Sequence, residues 1–401
     1  MIFEHIEPAP ADAILGLTEA FRADDRAQKI NLGVGVYQDD NGVTPVMDCV
    51  KEAEKRLVAS ETTKSYMPIS GTPAYKAQVQ QLLFGEAHGV LEDQRVRTAH
   101  TPGGTGGLRV GAELLKQLRP GATVWASSPT WANHPGVFSA AGFALKNYPY
   151  YDADRNALDF ARMQETLSAV PAGDVVLLHV CCHNPTGVDL TADQWAELGK
   201  CAARQGWIPF LDFAYQGLGM DLEQDRTGLL QMAAVVPEMV VAHSFSKNFG
   251  LYRERTGSVT LMAENATAAQ AVFSHLEKII RVLYSNPPAH GGQIVQTVLA
   301  DADLRAGWEK EVAAIRDRIQ RVRVDLVAAL KARTDKRNFS FIAQQKGMFS
   351  FSGLSDEQVQ FLREKKGIYI VKGGRINVAG ITPANLEYLA DAIAAALTVP
   401  E

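Results

Sequence analysis

The sequence predicts an α/β protein, with a large domain built on a mostly parallel sheet and a smaller α+β domain. Three observations carry this. Short apolar runs alternate with longer helical patterns through the middle of the chain. Those runs are nearly continuous in Val, Ile and Leu, as strands covered on both faces are. The last third changes pattern, to one long helix followed by short segments and a closing helix.

Taken in order, TVWASS (Thr123 to Ser128), DVVLLHVCC (Asp174 to Cys182), WIPFLDF (Trp207 to Phe213), MVVAHSF (Met239 to Phe245) and GSVTLMA (Gly257 to Ala263) read as buried strands. Helix-like segments such as LTADQWAELGKCAARQG (Leu190 to Gly206) lie between several of them. Parallel neighbours need such crossovers, so the alternation predicts a parallel sheet. A helical pattern from about Asp303 to Arg333 leads into FSFIAQQ, MFSFSG, IYIV and RINVAG, then the helix PANLEYLADAIAAAL. The resulting division is an N-terminal arm over 1–11, a small domain over 12–44 plus 315–401, and a large domain over 45–314.

Composition narrows the function. The chain has 401 residues, 21% charged and 46% hydrophobic, with a net charge of -5. That balance argues against nucleic-acid and membrane-surface partners. No apolar run approaches the ~20 residues of a membrane span. The start, MIFEHIEPAPADAIL, has neither the basic region of a secretory signal nor the arginines of a transit peptide, so a cytoplasmic location is expected. Of the four cysteines (Cys49, Cys181, Cys182 and Cys201), the neighbouring pair reads as two buried hydrophobes in a strand rather than a metal site or vicinal disulfide. No metal is expected.

Ligands of open α/β sheets bind beyond the carboxyl ends of the strands, and four motifs there carry polar groups. TPGGTGG (Thr101 to Gly107) precedes the helical LRVGAELLKQL, where bare N–H groups can hold a phosphate; alone it is more often a structural turn. CCHNPTGVD follows a strand and offers the Asn184 amide. FLDFAYQG places Asp212 at a strand end, where a buried carboxylate needs a partner; a helix cap or salt bridge would also satisfy it. SFSKNFGLYRERTG sets Lys247 three residues after Ser244 and eight before Arg255. Together they point to one cofactor. The lysine can condense with an aldehyde, Asp212 can hold a pyridinium proton, and Asn184 and Tyr215 can hydrogen-bond a phenolate. Ser244, Arg255 and the Gly103, Gly104 and Thr105 amides can hold a phosphate. These are the groups of pyridoxal 5′-phosphate.

The chain resembles the class I aminotransferases of PLP fold type I, close to the aspartate/aromatic group. The resemblance rests on KINLGVGVY, SYMPISGTPAY, TPGGTGGLR, SPTWANH, CCHNPTGVD, DFAYQG, SFSKNFGLYRERTG, RVLYSNPPAHG, GMFSFSGL and GGRINVAG, in matching order and spacing over the whole chain. It implies that Lys247 carries the cofactor and moves the substrate Cα proton to C4′. Asp212 would keep the ring nitrogen protonated, Asn184 and Tyr215 would bind the phenolate and tune proton affinity, and Trp131 would stack on the ring. Ser244, Arg255, Gly103, Gly104 and Thr105 would form the phosphate cup, with Tyr66 reaching it from the other subunit. Arg375 would grip the substrate α-carboxylate, Gly35 and Asn184 would line its surroundings, and Arg281 would read a distal carboxylate across a homodimer interface. His134 and His179 would stand behind Trp131 and Asp212.

The implied reaction moves the amino group of aspartate or glutamate to a 2-oxo acid such as 2-oxoglutarate, by a ping-pong mechanism. Val36, Thr44, Thr105 and Asn286 match aspartate-preferring members, whereas Gln38 and Ser65 depart from them and leave aromatic amino acids as an alternative. Two other readings weigh less. A catalytically silent PLP-fold protein should lack the lysine or ring-nitrogen carboxylate, and this chain keeps Lys247, Asp212, Arg255 and Arg375. A nucleotide-binding domain using TPGGTGG would need the strand–GxGxxG–helix pattern, which is missing.

Overall fold

The computed structural model describes residues 2–9 and 15–399. The expected arm therefore lies partly outside the described residues, as do positions 12–14 and 400–401 of the expected small domain. The chain divides into two compact units: residues 1–43, 320–344 and 348–401 form one, and residues 44–319 with 345–347 form the other.

The larger unit is organised by a seven-stranded sheet. Its spatial order is Val96–Pro102, Thr256–Met262, Met239–Ser244, Ile208–Phe213, Val175–His179, Thr123–Ser128, Ala144–Pro149. All neighbours are parallel except Thr256–Met262, which runs antiparallel to both of its partners. Val175–His179 is buried at every residue, which explains its unbroken apolar sequence. The crossover helix Ala192–Gln205 begins with a capping box between Thr191 and Gln194 and ends at left-handed Gly206, so its bounds are written in local chemistry.

The sequence pattern missed two strands. Val96–Pro102 (VRTAHTP) carries polar side chains into the core: Thr98 Oγ1 lies 2.9 Å from Thr260 Oγ1 on the next strand, which satisfies both hydroxyls. Ala144–Pro149 is an edge strand with an exposed polar face. Two local expectations also change. Gly103 and Gly104 do not precede a helix but open it, in Gly103–Leu118. Cys181 and Cys182 lie beyond the strand, which ends at His179; Cys182 has a left-handed φ of 52° and both are buried. FSFIAQQ contains a helical turn, Phe341–Gln344.

The other unit is built of short pieces. Ile30–Asn31 pairs parallel with Ile368–Tyr369, and Phe349–Phe351 pairs antiparallel with Arg375–Asn377. Helix Asp356–Lys366, capped by a Ser355/Gln358 box and left-handed Gly367, and helix Pro383–Ala396 accompany them. The buried Arg323 guanidinium donates to the carbonyls of Ile342 and Phe349, at 3.0 and 2.6 Å. It thereby ties the last part of helix Ala302–Lys331 to the strand that carries Phe349.

Candidate active site

Register alone begins the site. Across parallel strands His179 is the partner of Asp212, and Asp212 is the partner of Ala242. Asp212 sits one residue before its strand ends and is almost wholly buried. Its Oδ2 lies 2.9 Å from His134 Nε2. A carboxylate only accepts, so Nε2 is the protonated nitrogen and His134 Nδ1 is free to receive the Thr130 hydroxyl at 2.8 Å. Burial raises the Asp212 carboxyl. The His134 hydrogen bond, assisted by the nearby Lys247 amine, outweighs this and holds it below the usual carboxylate range. Trp131 meets the His134 ring edge-on at 5.2 Å between centroids.

A second layer fixes the neighbouring turn. Asp189 accepts from the main-chain N–H groups of Cys182 and His183 at 2.7 and 2.8 Å, which shapes the turn that carries Asn184. The His183 ring bonds Ser127 and Thr186 and stacks on Tyr150 at 3.9 Å. Asn184 Nδ2 then donates to the Tyr215 hydroxyl at 3.4 Å. Two side chains distant in sequence are thus brought together.

Lys247 lies three residues beyond the strand Met239–Ser244. As a residue it keeps partial exposure, yet burial of its amine, opposed by Asp212 and assisted by Arg255, pushes its pKa down to about 8. The amine stands 5.0 Å from the centroid of the Tyr215 ring. The following residue is the anchor: Asn248 is fully buried, its side chain donates to the Gln216 carbonyl at 3.2 Å, and its own carbonyl receives the Trp308 indole at 2.7 Å.

Around them a concave polar cradle forms. Gly257 pairs with Ser244 on one side and Thr101 on the other, which draws three segments into line. A methyl added at Gly103, whose φ is +70°, would lie 2.5 Å from Arg255 Nη2; one at Gly104 would lie 3.1 Å from Ser244 Cβ. Only glycine permits this approach. Thr105 shares the first turn of the same 16-residue helix, whose leading N–H groups have no intrahelical partner. The Arg255 guanidinium is steadied by the Tyr252 carbonyl at 2.9 Å.

In the smaller unit, Arg375 is buried on the strand Arg375–Asn377. It donates to the Gly33 carbonyl at 2.6 Å and lies 4.4 Å from the centroid of Phe349. A methyl at Gly35 would meet Phe349 Cζ at 2.6 Å, so Gly35 and Arg375 flank one ring. Asn377 Nδ2 donates to the carbonyls of Val34 and Val36, holding the segment that contains Gly35. Tyr66 and Arg281 join neither cluster. Tyr66 is 92% exposed, and Arg281, exposed near the end of helix Ala266–Leu283, bonds Ser285.

Sequence reasoning missed Asn248, Gln216, Trp308, Phe349 and Asp189. Asn248 was the most findable, because an amide beside a candidate lysine invites the question of its partner. The rest act through contacts far along the chain.

The family model for aminotransferase class I and II matches residues 27–393. An aspartate aminotransferase of Salmonella typhi is 52% identical over 99% of this chain and 100% of its own length. An aromatic-amino-acid aminotransferase of Escherichia coli is 43% identical, again over 99% of this chain and 100% of its own. A crystal structure of an aromatic-amino-acid aminotransferase from Burkholderia pseudomallei, covalently bound to pyridoxal phosphate, superposes with a TM-score of 0.97. It is 47% identical and covers 99% of this chain and 100% of that one. Match, identity and coverage together place the chain in the class I and II aminotransferase family.

Proposed function

We propose that the protein is a PLP-dependent aspartate aminotransferase, moving the amino group of aspartate or glutamate to a 2-oxo acid such as 2-oxoglutarate by a ping-pong mechanism. One observation carries the reading: a lysine with a pKa near 8, a buried ionised Asp212 and the Gly103/Gly104/Ser244/Arg255 cradle share the carboxyl edge of one sheet. Aspartate aminotransferases of Salmonella typhi and Haemophilus influenzae, 52% and 53% identical, support the substrate.

Pyridoxal phosphate fits these residues. The cradle is too narrow for a side chain and is lined by donors suited to a phosphate dianion: Ser244, Arg255, and the amides of Gly103, Gly104 and Thr105. Asp212 suits a pyridinium, and Asn184 with Tyr215 suits a phenolate. Trp131 covers the ring face. Bound there, the cofactor supplies an aldehyde that condenses with amines and a cationic ring that draws electrons from the substrate Cα.

The chain's own residues do the rest. Neutral Lys247 takes a proton from the substrate Cα, a task its depressed pKa prepares it for. Asp212, oriented by His134, keeps a proton on the ring nitrogen. Arg375, pre-oriented by Gly33 and Phe349, takes the α-carboxylate as a fork, and Gly35 and Asn184 each contribute to substrate binding. Arg281 takes the distal carboxylate of the partner's substrate in a homodimer, and Tyr66 reaches the partner's phosphate. The exposure of the large apolar side chains Tyr66, Val282 and Leu283 supports an interface. All four cysteines are buried and none is in a disulfide, which supports a cytoplasmic location. Among the described residues no helix is long and apolar enough to cross a membrane.

A second reading, activity toward aromatic amino acids, is supported by the 47% identity to the Burkholderia pseudomallei enzyme. Mixing the purified PLP form with single amino acids and following absorbance decides between them. Conversion by aspartate and glutamate at low concentration, with phenylalanine and tyrosine far behind, is expected. The reverse order would overturn the aspartate assignment.

A further inference from the structure

Beyond the strand Ile208–Phe213 the chain makes a tight turn through Tyr215–Met220, and one side chain organises it from behind. Asp225 is almost fully buried. Its Oδ2 accepts from the main-chain N–H groups of Gly217 and Gly219, each at 2.9 Å, and its Oδ1 accepts from Met220 at 2.8 Å. Among the described residues no cation pairs with it. Burial raises its carboxyl to about 6, so above neutral pH it is an ionised, acceptor-only group. A buried carboxylate is costly to desolvate, and three peptide donors are what it receives in return.

The turn leaves no slack. Gly217, at φ +92°, would drive a methyl to 2.7 Å from Val312, and a methyl at Gly219 would lie 2.6 Å from Asp225 Oδ1 itself. The Leu218 N–H closes on the Tyr215 carbonyl at 3.0 Å. Gln216, fully buried, is fixed on every side: its amide donates to the carbonyls of Leu82 and Leu222, its Oε1 meets His243 Nε2 at 3.1 Å, and its carbonyl receives Asn248. Fixing the turn therefore fixes two things at once, the Tyr215 ring under Lys247 and the Asn248 anchor one residue past that lysine.

We infer that Asp225 is a positioning residue for the reaction, holding the Tyr215–Met220 turn so that the Tyr215 hydroxyl is presented beside Asn184. This rests on the proposed function, in which Tyr215 hydrogen-bonds the cofactor phenolate. Asp225 touches neither substrate nor cofactor and acts only through the turn.

The test uses the holoenzyme and the absorbance of its bound cofactor as a function of pH, with thermal unfolding measured in parallel. Tyr215→Phe is the reference, since losing its hydroxyl raises the midpoint by removing a donor to the deprotonated state. Asp225→Asn should move the midpoint the same way, by about half a unit or more, and the double variant should move no further than Tyr215→Phe alone. Should Asp225→Asn fail to fold, Gly219→Ala, which crowds Oδ1 and keeps the charge, is expected to give the same shift. A midpoint unchanged in these variants while Tyr215→Phe shifts it, or shifts that simply add, would overturn the inference and reduce Asp225 to a stabilising role. A Tyr215→Phe titration identical to wild type would instead overturn the Tyr215 assignment itself, and the inference with it.

Discussion

Trp308 donates its indole N–H to the carbonyl of Asn248 at 2.7 Å, one residue past Lys247 and 60 positions away in sequence. The same indole stacks on Phe249 at 4.6 Å. The lysine-bearing loop is thus pinned from the start of helix Ala302–Lys331.

Trp308→Phe keeps the stacking and deletes the donor. A buried carbonyl left without that partner should cost about 1–3 kcal/mol, seen as a lower urea midpoint. Because the loop holds the proton-moving amine, kcat should fall more than KM rises. An unchanged kcat would show that the contact serves stability alone.

The depressed amine of Lys247 makes a pH prediction for the cofactor-free enzyme. Its folded pKa of about 8 lies below the ordinary value of 10.5, so between these limits the unfolded chain binds more protons. Stability then rises with pH across that window; the penalty is complete below pH 8 and gone above 10.5. Lys247→Met, of similar length and uncharged, should therefore melt higher than wild type at pH 7, with the gap closing as pH approaches 10.5. Equal melting temperatures at pH 7 would mean that the amine carries no burial penalty. The same variant should lose turnover while still binding PLP, because the phosphate cradle and Asp212 remain.

Asp212→Ala should leave the fold intact and reduce kcat by at least about two orders of magnitude, since a ring nitrogen without its carboxylate loses its proton. His134→Gln, which removes only the group orienting Asp212, should fall between that variant and wild type. Near-normal kcat for Asp212→Ala at saturating PLP would assign the carboxylate a structural role.

Arg281 tests both substrate and assembly. A distal carboxylate desolvated without its cation costs about 3–5 kcal/mol, so Arg281→Ala should lower kcat/KM for aspartate by about two to four orders of magnitude. Phenylalanine, which has no distal charge, should be much less affected. Mixing Arg281→Ala with Lys247→Ala and allowing subunits to exchange should restore part of the aspartate activity, because one composite site regains both residues. No recovery in proven heterodimers would remove Arg281 from the neighbouring site, and an equal loss for both substrates would move the aromatic reading ahead.

What the sequence determined by itself was local. Continuous apolar runs announced Val175–His179 and Ile208–Phe213, because a strand covered on both faces leaves no room for alternation. Asp212, Lys247, Ser244 and Arg255 were legible because polar and charged groups at the ends of such runs need partners. The strand Val96–Pro102 was not legible, since Thr98 pays for its place in the core only by bonding Thr260, 162 positions away. Tertiary structure alone decided that His179 stands beside Asp212, that Gly103 has space only for Arg255, and that Asp225, Gln216 and Trp308 hold the turns bearing Tyr215 and Lys247. A side chain that acts by accepting or donating across the fold leaves no periodicity behind. Its partners are set by strand order and crossover, and those are properties of the packed chain rather than of any window of it.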